Sequence, residues 1–131
     1  ILVRFVRLTV VQIPYDVAPC ISGLRLFGPG AGEKPAQAGF RASRSGDRLD
    51  MLITIEGKSD ASGYNILWGH KEDKLYHSYQ IFRAPDDVRS MRDAVIEKRI
   101  GALVKEREYY VRVDAYNENG ITRGKTIKLQ G

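Results

Sequence analysis

The chain has 131 residues, of which 43% are hydrophobic and 28% are charged, and its formal net charge is +5. This composition excludes an intrinsically disordered chain and predicts one domain with a core of its own. No apolar run approaches the roughly 20 residues that a membrane-spanning helix requires. We therefore expect a soluble domain without a membrane partner.

The positive charge raises nucleic acid as a partner, but the distribution of the charges argues against it. The basic residues are spread among 16 acidic residues, with no basic helix and no clustered run. We expect no nucleic-acid partner, and we expect the arginines to lie on solvated strand faces. The arginines in question are Arg4, Arg7, Arg25, Arg44, Arg48, Arg89, Arg92, Arg99, Arg112 and Arg123.

The N-terminal part contains two strand patterns. Leu2–Val11 is rich in β-branched and aromatic residues and ends before Pro14, and Cys20–Gly28 alternates along its length. The chain starts without a Met and already within a strand pattern, which indicates a segment of a longer protein. We interpret residues 1–27 as terminal strands of, or an extension from, a preceding β-sandwich. Their apolar edge is expected to fold back on the domain or to pair with another molecule.

The next segment, residues 28–39, reads GPGAGEKPAQAG and contains four glycines and two prolines. Such a composition predicts a loose or extended linker, or a long loop. A phosphate-binding loop is excluded because the glycine spacing does not fit, and because Lys34 is followed by Pro35 instead of a hydroxyl residue.

From Leu49 onward the strand patterns follow one another closely. In the first, Met51, Ile53 and Ile55 alternate with outward-facing residues. Further strand patterns cover residues 63–69, 74–82, 95–104, 109–117 and 121–130.

The sequence predicts the geometry of two connections between strands. Residues 84–95 are the one helical candidate, with Asp86 or Asp87 as the cap of one or two turns. Asn119-Gly120 predicts a type I′ hairpin, in which both central residues have positive φ.

This density of strands predicts an all-β fold. We expect an antiparallel immunoglobulin-like sandwich of about seven strands, plus two N-terminal strands. The domain is expected to cover residues 40–131, with residues 20–27 as an alternative first strand.

The end of the chain carries a family resemblance. Leu103, followed after six residues by Tyr109 and then by alternating Val111, Val113 and Ala115, resembles the fibronectin type III pattern. Residues 63–69, GYNILWG, resemble the third strand of that family, with Tyr64 and Ile66 facing inward. The resemblance covers the chain from about Ile21 or Phe40 to Gly131.

Two positions depart from that family pattern. Ile55 stands where a tryptophan is usual, and Lys105-Glu106 stand where a proline is usual. We expect Trp68 to fill the core volume that the missing tryptophan leaves.

A second resemblance concerns the parent protein. The opening residues are similar to the closing strands of discoidin-like carbohydrate-binding sandwiches. The order VRLTV, APCISGLRLFG, GYNILWG, DKLYHSYQ and YYVRVDAYNENGI resembles the C-terminal, non-catalytic part of secreted bacterial family-43-type glycoside hydrolases. This resemblance implies a secreted or periplasmic accessory module that spaces or orients the other domains of a polysaccharide-degrading polypeptide.

Some of the aromatic residues are expected to be structural. Tyr109 is predicted to bury its ring and to hydrogen-bond its hydroxyl to the backbone a few residues upstream, as a tyrosine corner does. Leu103, Trp68 and Tyr64 are assigned to the same structural set.

Other tyrosines are candidates for contact with a ligand or a neighbouring domain. Tyr110 and Tyr116 are expected on the outer face, because side chains alternate along a strand. If Tyr76, Tyr79 or Phe82 lies beside them, the rings could stack on a sugar or on another domain. Two alternative functions follow, a carbohydrate-binding module and a protein-interaction domain of a cell-surface receptor.

No residue pattern predicts catalysis, a metal or a cofactor. His70 and His77 lie near Glu72 and Asp73, but no third nitrogen or sulfur ligand is close in the sequence. The segment DAYNENG does not fit the calcium-loop spacing, and Cys20, the single cysteine, is expected to be a buried apolar residue. Asp86-Asp87 is a turn cap in this interpretation and no catalytic pair.

Overall fold

The computed structural model describes residues 5–13, 15, 17–18, 30–57, 60–82 and 95–130. Within these ranges the chain forms strands and turns and no α-helix. The strands are β1 (Gly39–Arg44), β2 (Met51–Glu56), β3 (Gly63–Gly69), β4 (His77–Phe82), β5 (Val95–Ile100), β6 (Tyr110–Asn117), β7 (Gly120–Thr122) and β8 (Ile127–Lys128).

The strands form two antiparallel sheets that share one core. The first sheet has the order β1-β2-β5, and the second has the order β4-β3-β6-β7, with β8 also paired to β6. At one end, the backbone N–H of Arg44 donates to the carbonyl of Gln130 at 3.0 Å, which connects the edge of the first sheet to the end of the chain. The all-β antiparallel sandwich is thereby confirmed.

The core follows from the alternation of side chains along the central strands. Met51, Ile53 and Ile55 of β2 are buried to 1% exposure or less, and Tyr64 and Ile66 of β3 are fully buried opposite them. Burying one large aliphatic side chain contributes roughly 1.5–3 kcal/mol, so this double row is the main source of stability. From β6 the core receives Val111, Val113 and Ala115.

Ile55 and Trp68 show how the core is filled where the fibronectin type III pattern usually has a tryptophan. Ile55 is fully buried in the centre of the core, whereas Trp68 is half-buried and packs against its margin. The ring of Trp68 stacks on His77 with ring centroids 5.4 Å apart. Trp68 therefore covers the end of the core and does not occupy the centre.

Several strand boundaries differ from the predictions. β1, with the sequence GFRASR, was not predicted, because only Phe40 in it is a large apolar residue. The predicted strand over residues 121–130 is two short strands, β7 and β8, separated by Arg123–Thr126. Gly124 lies in that gap, and a Cβ atom there would collide with the backbone oxygen of Val113.

The described N-terminal residues do not form the predicted strand. Residues 5–13 have no strand assignment, so the strand predicted for Leu2–Val11 is wrong in its described part. Phe5 is 87% exposed and Val11 is 92% exposed, so this segment does not fold back on the sandwich. Its pairing with another molecule stays a prediction. Ile1 to Arg4, the predicted strand Cys20–Gly28 and residues 84–94 of the predicted helical turn lie outside the described residues.

The β6–β7 hairpin has another turn than the predicted type I′. Asn117 pairs with Gly120, so Glu118 and Asn119 are the central residues. Positive φ values among the described non-glycine residues occur at Tyr15, Arg48 and Ala102, and not at these two positions. Gly120 alone in the hairpin has positive φ, at 139°, where a side chain would be strained.

Arg44 contradicts the prediction that the arginines lie on solvated faces. It is 9% exposed, and its guanidinium donates to the carbonyls of Arg48 at 2.8 Å, Val104 at 3.3 Å and Arg107. It also lies over the Tyr109 ring, 5.2 Å from the centroid. Buried charge requires such satisfaction of its donors, and the neighbouring loops supply it with backbone carbonyls.

Candidate functional site

Tyr109 forms a corner between β5 and β6. Its side chain is 4% exposed, and its hydroxyl accepts a hydrogen bond from the N–H of Val104 at 3.1 Å. Its carbonyl accepts from the N–H of Leu129 at 2.8 Å. Leu103 is also 4% exposed, and its N–H donates to Leu49 at 2.8 Å. We call Arg44, Leu103 and Tyr109 with these partners the corner; its geometry is that expected of a tyrosine corner.

The register separates the tyrosines that were candidates for one contact surface. Gly63 of β3 lies between Tyr116 of β6 and Phe82 of β4 in the register of the sheet. The Tyr116 and Phe82 rings therefore share its outer face. Tyr79 is opposite Ile66 and shares the inner face, where the Lys98 amine lies 4.3 Å from the Tyr79 ring centroid.

Tyr110 is also remote from Tyr116. The two side chains share the outer face of β6, but they are six positions apart along the strand, about 20 Å at the usual rise per residue. The structure therefore does not assemble Tyr76, Tyr79, Tyr110 and Tyr116 into one platform.

Tyr116 has a structural contact of its own. A Cβ atom on Gly63 would collide with the phenol ring of Tyr116, so the glycine lets the ring lie directly across β3. The Tyr116 hydroxyl donates to the carbonyl of Ile81 at 3.1 Å. Burial raises the pKa of the Tyr116 phenol above its ordinary value. Tyr116 thus connects β6 with β4 across the intervening strand.

A row of rings lies at the end of the sandwich where β3 and β4 are joined. His70 lies between Tyr109 and Tyr76, with ring centroids at 4.4 Å and 5.9 Å. Tyr76 contacts His77 at 4.7 Å, and His77 stacks on Trp68. We call these five residues the aromatic row. Tyr76 is its exposed member among the tyrosines, at 60% exposure.

The two histidines of the aromatic row make ring contacts instead of forming the metal site that was weighed from the sequence. The Nδ1 atom of His70 lies 3.0 Å from the carbonyl oxygen of Glu108. Among the residues that the structure describes, no group of three or more His, Cys, Asp or Glu residues has an arrangement that could hold a metal ion. In the same ranges, no helix has the length and apolar character needed to cross a membrane.

A buried carboxylate on the outer face of β6 is fully engaged. Asp114 is 7% exposed and accepts two hydrogen bonds from Arg112, at 2.8 and 3.0 Å. It also accepts from the N–H of Gly124 at 2.8 Å, which fixes the gap between β7 and β8. Arg112 is therefore a second arginine that is not simply solvated. Asp114 binds the backbone in the gap between β7 and β8, and Arg112 holds the Asp114 carboxylate.

Residues 30–38, which we call the linker, are bound along the β6–β7 hairpin. The side chain of Asn119 makes two of the bonds: its Oδ1 accepts from the N–H of Gly32 at 2.9 Å, and its Nδ2 donates to the carbonyl of Glu33 at 3.0 Å. Asn117 Nδ2 donates to the same Glu33 carbonyl at 3.0 Å. A primary amide suits an extended backbone, because it offers a donor and an acceptor side by side.

The linker is bound at further points on either side. The N–H of Gly30 donates to the carbonyl of Glu118 at 2.7 Å, and the N–H of Ala36 donates to Asp60 Oδ2 at 2.6 Å. The Thr122 hydroxyl donates to the carbonyl of Pro35. We call Asp60, Asn117, Asn119 and Thr122 together the clamp.

The glycines of the linker are explained by this contact. A Cβ atom on Gly32 would lie 2.7 Å from Asn119 Nδ2, and one on Gly30 would collide with Asn119 Oδ1. Of the two predicted alternatives, loose or extended, residues 30–38 are not loose: they are bound along the hairpin, and two of their glycines allow close approach of the backbone. The sequence signal was present in the paired Asn117 and Asn119, which were interpreted as turn residues alone.

Comparison with known proteins adds no relative to this picture. No protein-family model matches the chain, and no curated protein matches it.

Proposed function

We propose that this domain is a non-catalytic accessory module that holds the chain segment preceding it in a set orientation. The observation that carries the proposal is the clamp on residues 30–38. A free Gly-rich linker behaves as a flexible coil and lets its two ends move independently. A linker with six hydrogen bonds to one hairpin and its neighbour Asp60 leaves the domain in a restricted direction.

The strength of the clamp supports this role. Each hydrogen bond contributes a net 0.5–1.5 kcal/mol, roughly, so the linker as a whole is held by a few kcal/mol. That is enough to keep it bound in most molecules and small enough for the clamp to open without unfolding the sandwich. Burial of Pro35 and of Ala38, at 7% exposure, adds apolar contact at the C-terminal end of the linker.

We propose further that the other domains of the same polypeptide are the partners of this module. The resemblance of the chain to the C-terminal part of secreted family-43-type glycoside hydrolases supports a polysaccharide-degrading parent, located outside the cytoplasm of a bacterium. Determination of the coding sequence on both sides of these residues tests the parentage. A catalytic propeller upstream is the expected result, and a continuous reading frame of unrelated domains would refute it.

The orientation itself is tested by a distance measurement on this chain. In a Cys20→Ser background, spin labels are attached to cysteines introduced as Ala31→Cys in the linker and as Ser78→Cys on β4, both at exposed positions. A narrow distance distribution is expected, and Asn119→Ala should broaden it. The matched control is Asn65→Ala, on the outer face of β3. A wild-type distribution as broad as that of Asn119→Ala would exclude the orienting role.

Carbohydrate binding is the second candidate, favoured by the exposure of Tyr76 in the middle of the aromatic row. Exposed rings of this kind can stack on the apolar face of a sugar. Affinity electrophoresis in xylan and arabinan tests it with Tyr76→Ala, and with Phe82→Ala as a control on an exposed ring at the opposite end of β4. Retention that is lost in Tyr76→Ala alone would favour a sugar-binding role; unchanged mobility of the wild type in both gels would remove this candidate.

A further inference from the structure

We propose that Asn119 is a site of deamidation, that the bound linker suppresses the reaction, and that its product loosens the linker. Of the asparagines in the chain, at positions 65, 117 and 119, only Asn119 is followed by glycine. Deamidation begins when the backbone nitrogen of the next residue attacks the side-chain amide carbon. Glycine permits this attack most readily, because it has no Cβ atom and has the greatest backbone freedom.

The reaction balances without any cofactor. The nitrogen of Gly120 forms a bond to Cγ of Asn119 and loses its proton, and the bond from Cγ to Nδ2 breaks with release of ammonia. The resulting succinimide is opened by water at either of its two carbonyl groups. The products at position 119 are aspartate and isoaspartate, and the loss of ammonia makes the change irreversible under ordinary conditions.

In the folded protein the side chain of Asn119 is held by hydrogen bonds to the linker. Both of its polar atoms are bound to the linker, to Gly32 at 2.9 Å and to Glu33 at 3.0 Å. The backbone on both sides is also fixed, because the N–H of Asn119 donates to Asn117 Oδ1 at 2.8 Å and Gly120 pairs with Asn117. Attack by Gly120 requires the amide to turn out of the clamp, so the rate should follow the population of molecules with an open linker.

The product holds the linker less well than asparagine does. A carboxylate has only acceptor atoms, so the bond to the Glu33 carbonyl is lost and a negative oxygen faces that carbonyl. Isoaspartate would in addition lengthen the main chain within the turn. Deamidation would therefore weaken the hold on the linker and increase the fraction of molecules in which the linker is open. This consequence for the orientation of the preceding segment rests on the proposed function; the protection of Asn119 does not.

The first experiment measures the rate of deamidation in this chain at mildly alkaline pH, by mass spectrometry of the peptide that contains Asn119. The test variant is Gly32→Ala, because a Cβ atom there lies 2.7 Å from Asn119 Nδ2 while the Asn-Gly dipeptide is kept. The matched control is Gly46→Ala, where a Cβ atom meets nothing within 4 Å. We expect Gly32→Ala to react about tenfold faster than the wild type, as loss of bonds of this strength implies, with the control unchanged.

A second variant guards against misfolding of Gly32→Ala. Asp60→Ala removes the bond to Ala36 at the other end of the linker and leaves residues 30–33 unaltered. It should also accelerate the reaction, by a smaller factor. Equal rates in the wild type, in the variants and in the chain unfolded in urea would overturn the proposed protection.

The second experiment measures whether a carboxylate at position 119 loosens the linker. Asn119→Asp is compared with the wild type by amide hydrogen exchange. The carboxylate can still accept from the Gly32 amide, but the linker should open more often without the bond to Glu33, so protection should fall at the Gly32 amide and be kept at the amides of β3 and β6. Retained protection of Gly32 in Asn119→Asp would overturn the loosening step. The two proposals are separable: if deamidation rates do not differ but Asn119→Ala still broadens the distance distribution, the orienting function stands and this inference falls.

Discussion

The corner and the clamp both bind irregular backbone segments, the corner in the interior of the domain and the clamp at its surface. In both, side chains satisfy backbone groups of an irregular segment, but Tyr109 is 4% exposed whereas the bonds of the clamp are solvent-exposed for the most part. A hydrogen bond broken in a buried site leaves an unsatisfied group, while one broken at the surface is replaced by water. The corner should therefore determine stability, and the clamp should determine the position of the linker.

The largest effect should come from Arg44. Arg44→Met keeps an unbranched apolar stem but removes the guanidinium that donates to the carbonyls of Arg48, Val104 and Arg107, of which Val104 keeps a bond from the N–H of Arg107. We expect the free energy of unfolding to fall by about 2–4 kcal/mol, measured by urea denaturation. Arg41→Met, on the exposed side of the same strand, is the control and should change stability by less than about 0.5 kcal/mol. Equal effects of the two substitutions would contradict the assignment of Arg44 to the corner.

Tyr109→Phe should have the next largest effect. It removes the hydroxyl that accepts from Val104 and leaves that N–H without its partner, while the ring contacts remain. The expected loss is about 1–2 kcal/mol of unfolding free energy. Tyr110→Phe, one residue further and half-exposed, is the matched control. Thermal unfolding identical to the wild type would show that the hydroxyl contributes nothing.

Asn119→Ala should affect global stability less than either change in the corner. The bonds that it removes are exposed, so the expected loss is below about 1 kcal/mol. Hydrogen exchange should nevertheless accelerate strongly at the Gly32 amide, which loses its acceptor. A large loss of global stability with unchanged exchange at Gly32 would reverse the roles of the clamp and the corner.

The same contrast explains what could be predicted from the sequence. The alternation of Met51, Ile53 and Ile55 identified β2 and its buried face, because core packing imposes a period of two on a strand. Tyr109 was identified through the resemblance to the fibronectin type III pattern, and its partner Val104 lies only five residues away.

The clamp and Arg44 were missed because their contacts are distant in sequence. Asn119 binds Gly32 and Glu33 across 87 and 86 positions, and Arg44 reaches Val104 and Arg107 across 60 and 63 positions. An asparagine beside a glycine looks like a turn, and an arginine in a strand looks solvated. Only the pairing of the strands brings these side chains to their backbone partners.

The outer rim of the corner should add a small dependence on pH. Asp47 lies in the turn after β1, where its Oδ1 accepts from the Ser45 hydroxyl and from the N–H of Leu49 at 3.2 Å. These two hydrogen bonds, the Ser45 bond foremost, lower the pKa of the Asp47 carboxyl below its ordinary 3.8. The turn carries Arg48 and Leu49, whose carbonyls bind Arg44 and Leu103.

The sign of this effect follows from the lowered pKa. A carboxyl that is more acidic in the folded chain contributes stability above its unfolded pKa, and the contribution is lost as the pH falls through the folded value. Urea denaturation between neutral pH and acid should therefore show a slightly flatter acid-side decline in Asp47→Asn, and also in Ser45→Ala, which removes the main cause of the shift. If both variants keep the wild-type decline, the charge of Asp47 does not affect the free energy of unfolding through this turn.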